Sequence, residues 1–414
     1  MVGNVMVGQS GGPTAVINSS LVGVYQTAKD RGAHKVYGML HGIQGLLEGK
    51  YIDLDEHIRS ELDIELLKRT PSAYLGSCKY KLPEIGENDE IYNRIFETLY
   101  RLGIRCFFYI GGNNSMDTVR KLTDYSRMIG ANISFIGIPK TIDNNLIGTD
   151  HTPGYGSAAK CVASIMKEII RDVTVYDLPS VAVVEIMGGN AGWLAGASAL
   201  SKAEDCEGPD MIYLPEFPID PEDFLRRVGE LQKKKKSIVV AISEGIKLPD
   251  GRYVAELADS MAFTDDFGNK TLTGAARYLC RLVAERYHCK TRAIEFNTLQ
   301  RCASHIVSRV DITEAFQVGG AAVKAAFEGD QTGKMVTLKR LSQEPYQCAT
   351  DLIDIHEVAN LEKFVPLEWY DNDSKYVMPE FLSYVRPLIQ AELSPIMVGG
   401  LPRHLYYTDR LKRR

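Results

Sequence analysis

The sequence predicts an α/β protein built as two three-layer lobes, each a parallel-rich sheet covered by helices on both faces, with an active-site cleft between them. Two observations carry this. Short β-rich runs that end in glycine lead repeatedly into segments of helical periodicity. In addition, 414 residues at 45% hydrophobic exceed one domain, at a prior of roughly 100–200 residues each. Strands alternating with helices imply buried parallel sheets, with ligands at the carboxyl ends of the strands.

The first run, Val5 to Val7, precedes Gly8-Gln9-Ser10-Gly11-Gly12-Pro13-Thr14 and then apolar residues at Ile17, Leu21, Val24 and Ala28, at helical spacing. Strand, phosphate-sized loop and helix follow one another. The pattern returns at Cys106 to Ile110, then Gly111-Gly112-Asn113-Asn114-Ser115, then a helix bearing Met116, Val119 and Leu122, with Ser115 as its expected N-cap. Further strands are expected at Ile133 to Ile138, Val181 to Met187 and Ser237 to Ser243. Pro153-Gly154-Tyr155-Gly156-Ser157 interrupts the rhythm before a long helix carrying Val162, Ile165, Ile169 and Ile170, which places a lobe boundary there. The expected division is therefore two Rossmann-like lobes: 1–154, rejoined by about 300–342, and 155–299. Beyond Gln343 the composition turns to Pro, Tyr and Glu, so 343–414 reads as a C-terminal extension.

Composition narrows the partners. With 48 Lys plus Arg against 53 Asp plus Glu, the net charge of -5 provides no global field for nucleic acid or acidic membranes. Apolar runs such as Val181 to Val184 fall far short of the roughly 20 residues that span a bilayer, and no secretory signal pattern opens the sequence. The eight cysteines form no CxxC and no zinc-spaced cluster, which fits free thiols in a reducing cytoplasm. Lys233 to Lys236 reads as a solvated helix end. The expected partner is a small molecule.

Gly11-Gly12 and Gly111-Gly112 each close a strand and open a helix, so their backbone N–H groups can converge on an anion. Either could be no more than a tight turn; two in one chain favour polyphosphate. Pro139-Lys140-Thr141-Ile142-Asp143-Asn144-Asn145 adds a lysine for a moving phosphoryl group, a hydroxyl, and a carboxylate able to take a proton from an attacking alcohol.

The blocks Gly11 to Asn18, Leu75-Gly76-Ser77, Gly111 to Ser115, Pro139 to Asn144, Met187 to Ala195, Ile242 to Gly245 and Thr291 to Arg301 stand in an order that resembles the phosphofructokinase family. The resemblance covers roughly Val5 to Gly329. It implies phosphoryl transfer to the 1-hydroxyl of fructose 6-phosphate, with Mg2+ as cofactor. Asp143 aligns with the general base, and Thr141 and Ile142 lie beside the sugar. Met187, Gly188 and Gly189 fall on the sugar-binding MGR motif, and Glu244 on the carboxylate that holds sugar hydroxyls. Arg301 matches the arginine that grips the 6-phosphate. Arg292 matches one that crosses from a neighbouring subunit, which implies a homodimer or homotetramer. Lys79 and Lys140 would flank the donor. Pyrophosphate users of the family usually carry a carboxylate at the fourth position of the GGDG-like loop and a lysine before TID. Here Asn114 is large enough to obstruct a nucleotide's inner phosphate and Lys140 is present, which favours pyrophosphate; some ATP users also have PKTID.

The departures cluster around donor and metal. GGNN offers Asn113 and Asn114 but no carboxylate, so Asn113 is at best a weak magnesium ligand and the ion is expected to arrive mainly on pyrophosphate. TIDND has become TIDNN, with Asn145 in the last place; MGR reads Met187-Gly188-Gly189; the basic residue after LGS is Lys79 where arginine is usual; and Thr298 stands where histidine precedes QR. Two readings fit. One is a pyrophosphate enzyme with altered efficiency or acceptor preference; the other is a paralogue that keeps the fold with little catalysis. Retention of Asp143, Thr141, Lys140, Glu244 and Arg301 favours the enzyme.

Overall fold

In a computed structural model of the chain, residues 3–258, 272–329 and 331–407 are described. Strands Asn4–Gln9, Val36–Met39, Tyr51–Asp53, Ile104–Gly111, Ser134–Pro139, Lys334–Gln343 and Tyr346–Asp354 form one seven-stranded sheet. Its order across the sheet is 346–354, 334–343, 134–139, 104–111, 4–9, 36–39, 51–53. The interior pairs are parallel, and only the two edge strands run antiparallel.

Period-two alternation sorts the side chains of this sheet into two cores. Val5, Val7, Phe108, Ile110, Ile136 and Ile138 pack with helices Ile17–Asp30 and Arg309–Glu328. Met6, Phe107, Tyr109 and Phe135 pack on the opposite face with Asp89–Arg101 and Asn113–Met128. Each fully buried side chain of this size contributes roughly 1.5–3 kcal/mol. Helices Ile17–Asp30 and Arg309–Glu328 touch backbone to backbone: a Cβ on Gly23 would lie 2.1 Å from the Phe316 carbonyl oxygen, and one on Gly319 would lie 2.2 Å from that of Ser20.

The second sheet has four parallel strands in the order 211–213, 237–243, 180–186, 290–295. Val181, Val183, Ile238, Val240 and Ile242 face helices Pro221–Gln232 and Ala275–Tyr287, while Ala182, Val184, Ile186, Val239 and Ala241 face Tyr155–Val173 and the later residues Phe381 and Val385. Gly154, at φ 109°, turns the chain into the long helix at a conformation natural only to glycine.

Ser115 is not the N-cap the sequence predicts. The helix begins at Asn113 with Gly112 at the cap and no side-chain cap bond, because the turn at Gly111 is too tight to leave a third loop residue. A Cβ on Gly111 would lie 1.9 Å from Ser115 Oγ, so the serine is buried in the first turn. Lys233 to Lys236 follows the end of helix Pro221–Gln232, where Lys235 pairs with Asp210 and Glu207 and Lys236 with Asp177. All eight cysteines are free thiols. Among the described residues no helix is long and apolar enough to cross a membrane.

Residues after Gln343 first return as an edge strand of the large sheet, then run across both cores with two short hairpins, 370–371 with 376–377 and 397–398 with 401–402. Val365, Tyr370, Val377, Phe381, Val385 and Leu388 belong to the core shared with helix Tyr155–Val173.

Candidate active site

The cleft is assembled from the carboxyl ends of strands in both sheets. Gly11, at φ 75°, turns the chain after Asn4–Gln9; its N–H donates to the Cys78 carbonyl at 3.2 Å, and Ser77 Oγ donates to its carbonyl at 2.6 Å. The second glycine turn is tied to the PKTIDNN segment by the Lys140 N–H, which donates to the Gly111 carbonyl at 3.0 Å. Lys140 Nζ donates to the Gly12 carbonyl. A Cβ on Gly11 would lie 3.4 Å from Lys140 Nζ, and one on Gly12 would lie 3.4 Å from Arg301 Nη1. Both loops, the lysine and the arginine thus meet at one point.

Asp143 lies beside them, its N–H donating to Thr141 Oγ1 at 3.1 Å. Burial pushes its carboxyl up to about 6 against the pull of Lys140 and Arg301, and the charge of Glu362 pushes the same way as burial. Burial lowers Lys140 to about 8 despite Asp143. From the other sheet, Glu244 accepts from the N–H groups of Gly188 and Gly189 at 3.4 and 3.3 Å. Burial, reinforced by the charge of Asp143, raises it to about 8. The loop packs so closely that a Cβ on Gly245 would lie 1.7 Å from the Gly189 carbonyl oxygen, and Gly188 and Gly189 adopt φ 151° and 53°. A desolvated lysine, a carboxylate near neutral pH and a protonated carboxyl in one cleft can bind phosphate, take a proton and hold hydroxyls.

Other predicted residues take varied places. Thr141 and Ile142 are buried, Ile142 in the core of the second sheet, and Met187 packs at the edge of that core. Gly112 caps the helix that begins at Asn113, while Asn114 and Lys79 are exposed beside the glycine turns. Thr298 is exposed ahead of the short helix Leu299–Cys302 that carries Arg301. Arg292 is exposed on strand Lys290–Glu295 and pairs with Asp172.

Asn113 does not fit as a magnesium ligand. Its Oδ1 accepts the Asn360 N–H at 3.0 Å and its Nδ2 donates to the Leu361 carbonyl, so the amide is oriented by the chain that follows strand Tyr346–Asp354. Sequence reasoning missed Asn360, Glu362, Lys363 and Tyr384, which reach this region from the C-terminal extension. They belong to no block of the resemblance, and only folding brings them near.

A buried lysine and carboxylate facing paired glycine turns across two α/β lobes define a phosphoryl-transfer enzyme. A family model described as phosphofructokinase matches residues 4–326, and the chain belongs to the phosphofructokinase family. It is 37% identical over 404 residues to a pyrophosphate–fructose 6-phosphate 1-phosphotransferase of Halomonas elongata, covering 97% of this chain and 95% of that protein. A protein of the same name from Methylococcus capsulatus is 39% identical over 407 residues, with 97% and 95% covered. The crystal structure of a pyrophosphate-dependent phosphofructokinase from Nitrosospira multiformis superposes with a TM-score of 0.87 at 34% identity, covering 98% of this chain and 96% of that one.

Proposed function

We propose that this chain transfers a phosphoryl group from pyrophosphate to the 1-hydroxyl of fructose 6-phosphate, reversibly, giving fructose 1,6-bisphosphate and phosphate. The observation that carries this reading is the meeting of Lys140, Asp143 and Arg301 at the Gly11-Gly12 turn. The Gly11-Gly12 and Gly111-Gly112 turns line the donor site, with Lys79 and Lys140 supplying charge. Asn114 at the mouth of the loop excludes a nucleotide's inner phosphate.

On the acceptor side, Glu244 and the Met187-Gly188-Gly189 turn hold sugar hydroxyls, Thr141 and Ile142 line the approach, and Arg301 grips the 6-phosphate, with Thr298 at its rim. Asp143 takes the 1-hydroxyl proton as that oxygen bonds to phosphorus. The phosphorus–oxygen bond within pyrophosphate breaks, and phosphate leaves with the electron pair. Lys140, protonated below about pH 8, stabilises the charge on the transferred group. Magnesium comes with pyrophosphate rather than on ligands of this chain. We place the protein in the cytoplasm as a homodimer or homotetramer in which Arg292 crosses to a neighbour's site.

Replacing Asp143 by Ser tests the assignment: kcat falls by roughly 100-fold or more while the protein stays folded. Undiminished turnover in that variant removes Asp143 from the chemistry.

A further inference from the structure

The loop that carries Asp143 is tied at Thr141 and Asn144 to residues 152–154, and at Asn144 to Leu146 also to the C-terminal extension. Lys363 N–H donates to the Asn145 carbonyl at 2.8 Å, and Leu146 and Glu362 form an antiparallel bridge. Asn145 Nδ2 donates to Glu362 Oε1 at 3.2 Å. Asn144, held at φ 53°, donates through Nδ2 to Tyr384 Oη at 2.9 Å, and that hydroxyl donates to the Asp150 carbonyl at 2.6 Å. Lys363 Nζ donates to the Thr149 and Asp150 carbonyls at 3.2 and 2.7 Å and lies 5.4 Å from the centre of the Trp193 ring. The same strand of chain is anchored to the donor loop, where Asn360 donates to Asn113 and to Asp117. A segment fixed to both donor loop and second core therefore presents one carboxylate, Glu362, to the Asp143 loop.

We propose that Glu362 is a positioning residue for phosphoryl transfer: its bond to Asn145 fixes the Thr141–Asn145 loop, and its charge keeps Asp143 a competent proton acceptor. The inference rests on the assignment of Asp143 as the base. The charged groups that act on Asp143 are Lys140 and Arg301, which favour its carboxylate form, and Glu362, which opposes it; Glu244, raised to about 8, is protonated where Asp143 titrates. Glu362 is exposed and its bridge to Leu146 is made by backbone, so neutralising its side chain leaves the fold intact. The carboxylate also stands in a loop region where neither Asn114 nor Asn145 supplies one.

The test is the pH profile of kcat/KM for wild type, Glu362→Gln and Glu362→Asp, with pyrophosphate and fructose 6-phosphate. Removing the charge makes Asp143 a stronger acid and a weaker base. The acid limb of E362Q then moves to lower pH by about half a unit, and kcat at the optimum falls roughly two- to tenfold with KM for the sugar phosphate little changed. E362D restores both. A wild-type-like profile and kcat in E362Q, or an E362D as impaired as E362Q, overturns the proposal. An inactive wild type, or a wild type unaffected by Asp143→Ser, sinks the underlying assignment instead and takes this inference with it.

Discussion

At the scale of residues, the proposed roles require Asp143 as a carboxylate and Lys140 as an ammonium, and burial has moved both toward neutrality. Asp143, raised to about 6, must be a carboxylate to accept a proton, so activity rises as pH passes through about 6. Lys140, lowered to about 8, must be an ammonium, and Glu244 sheds its proton in the same region, so activity falls as pH passes through about 8. A bell-shaped kcat/KM profile with limbs near these values is the expected result, and a plateau extending above pH 10 contradicts the role of Lys140. Asn114 carries a separate prediction. Asn114→Gly lowers KM for ATP by about tenfold or more, roughly 1.4 kcal/mol of binding, and an unchanged ATP affinity removes Asn114 as the steric gate. Lys140 and Asp143 stood out in the sequence because PKTIDNN is contiguous and chemically loaded. Glu362 did not, because a carboxylate more than 200 positions away carries no local signal.

Elements were legible wherever period and punctuation agreed. Helix Ile17–Asp30 and strand Ser237–Ser243 lie where the pattern puts them, because three-four spacing marks a packed helix and a short, nearly continuous apolar run marks a strand buried on both faces. The start of helix Asn113–Met128 was missed by three residues, since the rule that favours Ser as a cap yields here to a glycine turn that packs onto Ser115. The contact between helices Ile17–Asp30 and Arg309–Glu328 depends on Gly23 and Gly319, which no helical propensity favours. Gly23→Ala forces these backbones apart and costs about 1–3 kcal/mol, read from denaturant unfolding; a neutral effect would show that the helices can separate freely. A second prediction concerns His151, buried between Asp150 at 2.8 Å and Glu314 at 2.6 Å. Burial opposes its charge, but the two carboxylates prevail and raise it to about 9 from 6.5. That stabilisation is complete below pH 6.5 and is lost as pH rises through about 9. The thermal midpoint should decline across this interval, and a flat midpoint there contradicts a charged His151.

At the scale of the molecule, two sheets supply different halves of the candidate site, and the C-terminal extension packs against both. The α/β alternation foretold the sheets, but not that residues 346–354 would form the outer strand of the larger one, nor that the chain beyond would cross the cleft loops. Irregular chain leaves no period to read; its place is set by pairing with distant loops. Arg292, exposed and paired with Asp172 on its own chain, gains a site role only if a neighbour is present, so the purified protein should scatter light as a dimer or tetramer. The most direct measurement is phosphorylation of fructose 6-phosphate by the purified protein with magnesium, comparing pyrophosphate and ATP in one assay. The account predicts fructose 1,6-bisphosphate with pyrophosphate and little or none with ATP; turnover with ATP alone, or silence with both donors, would contradict it.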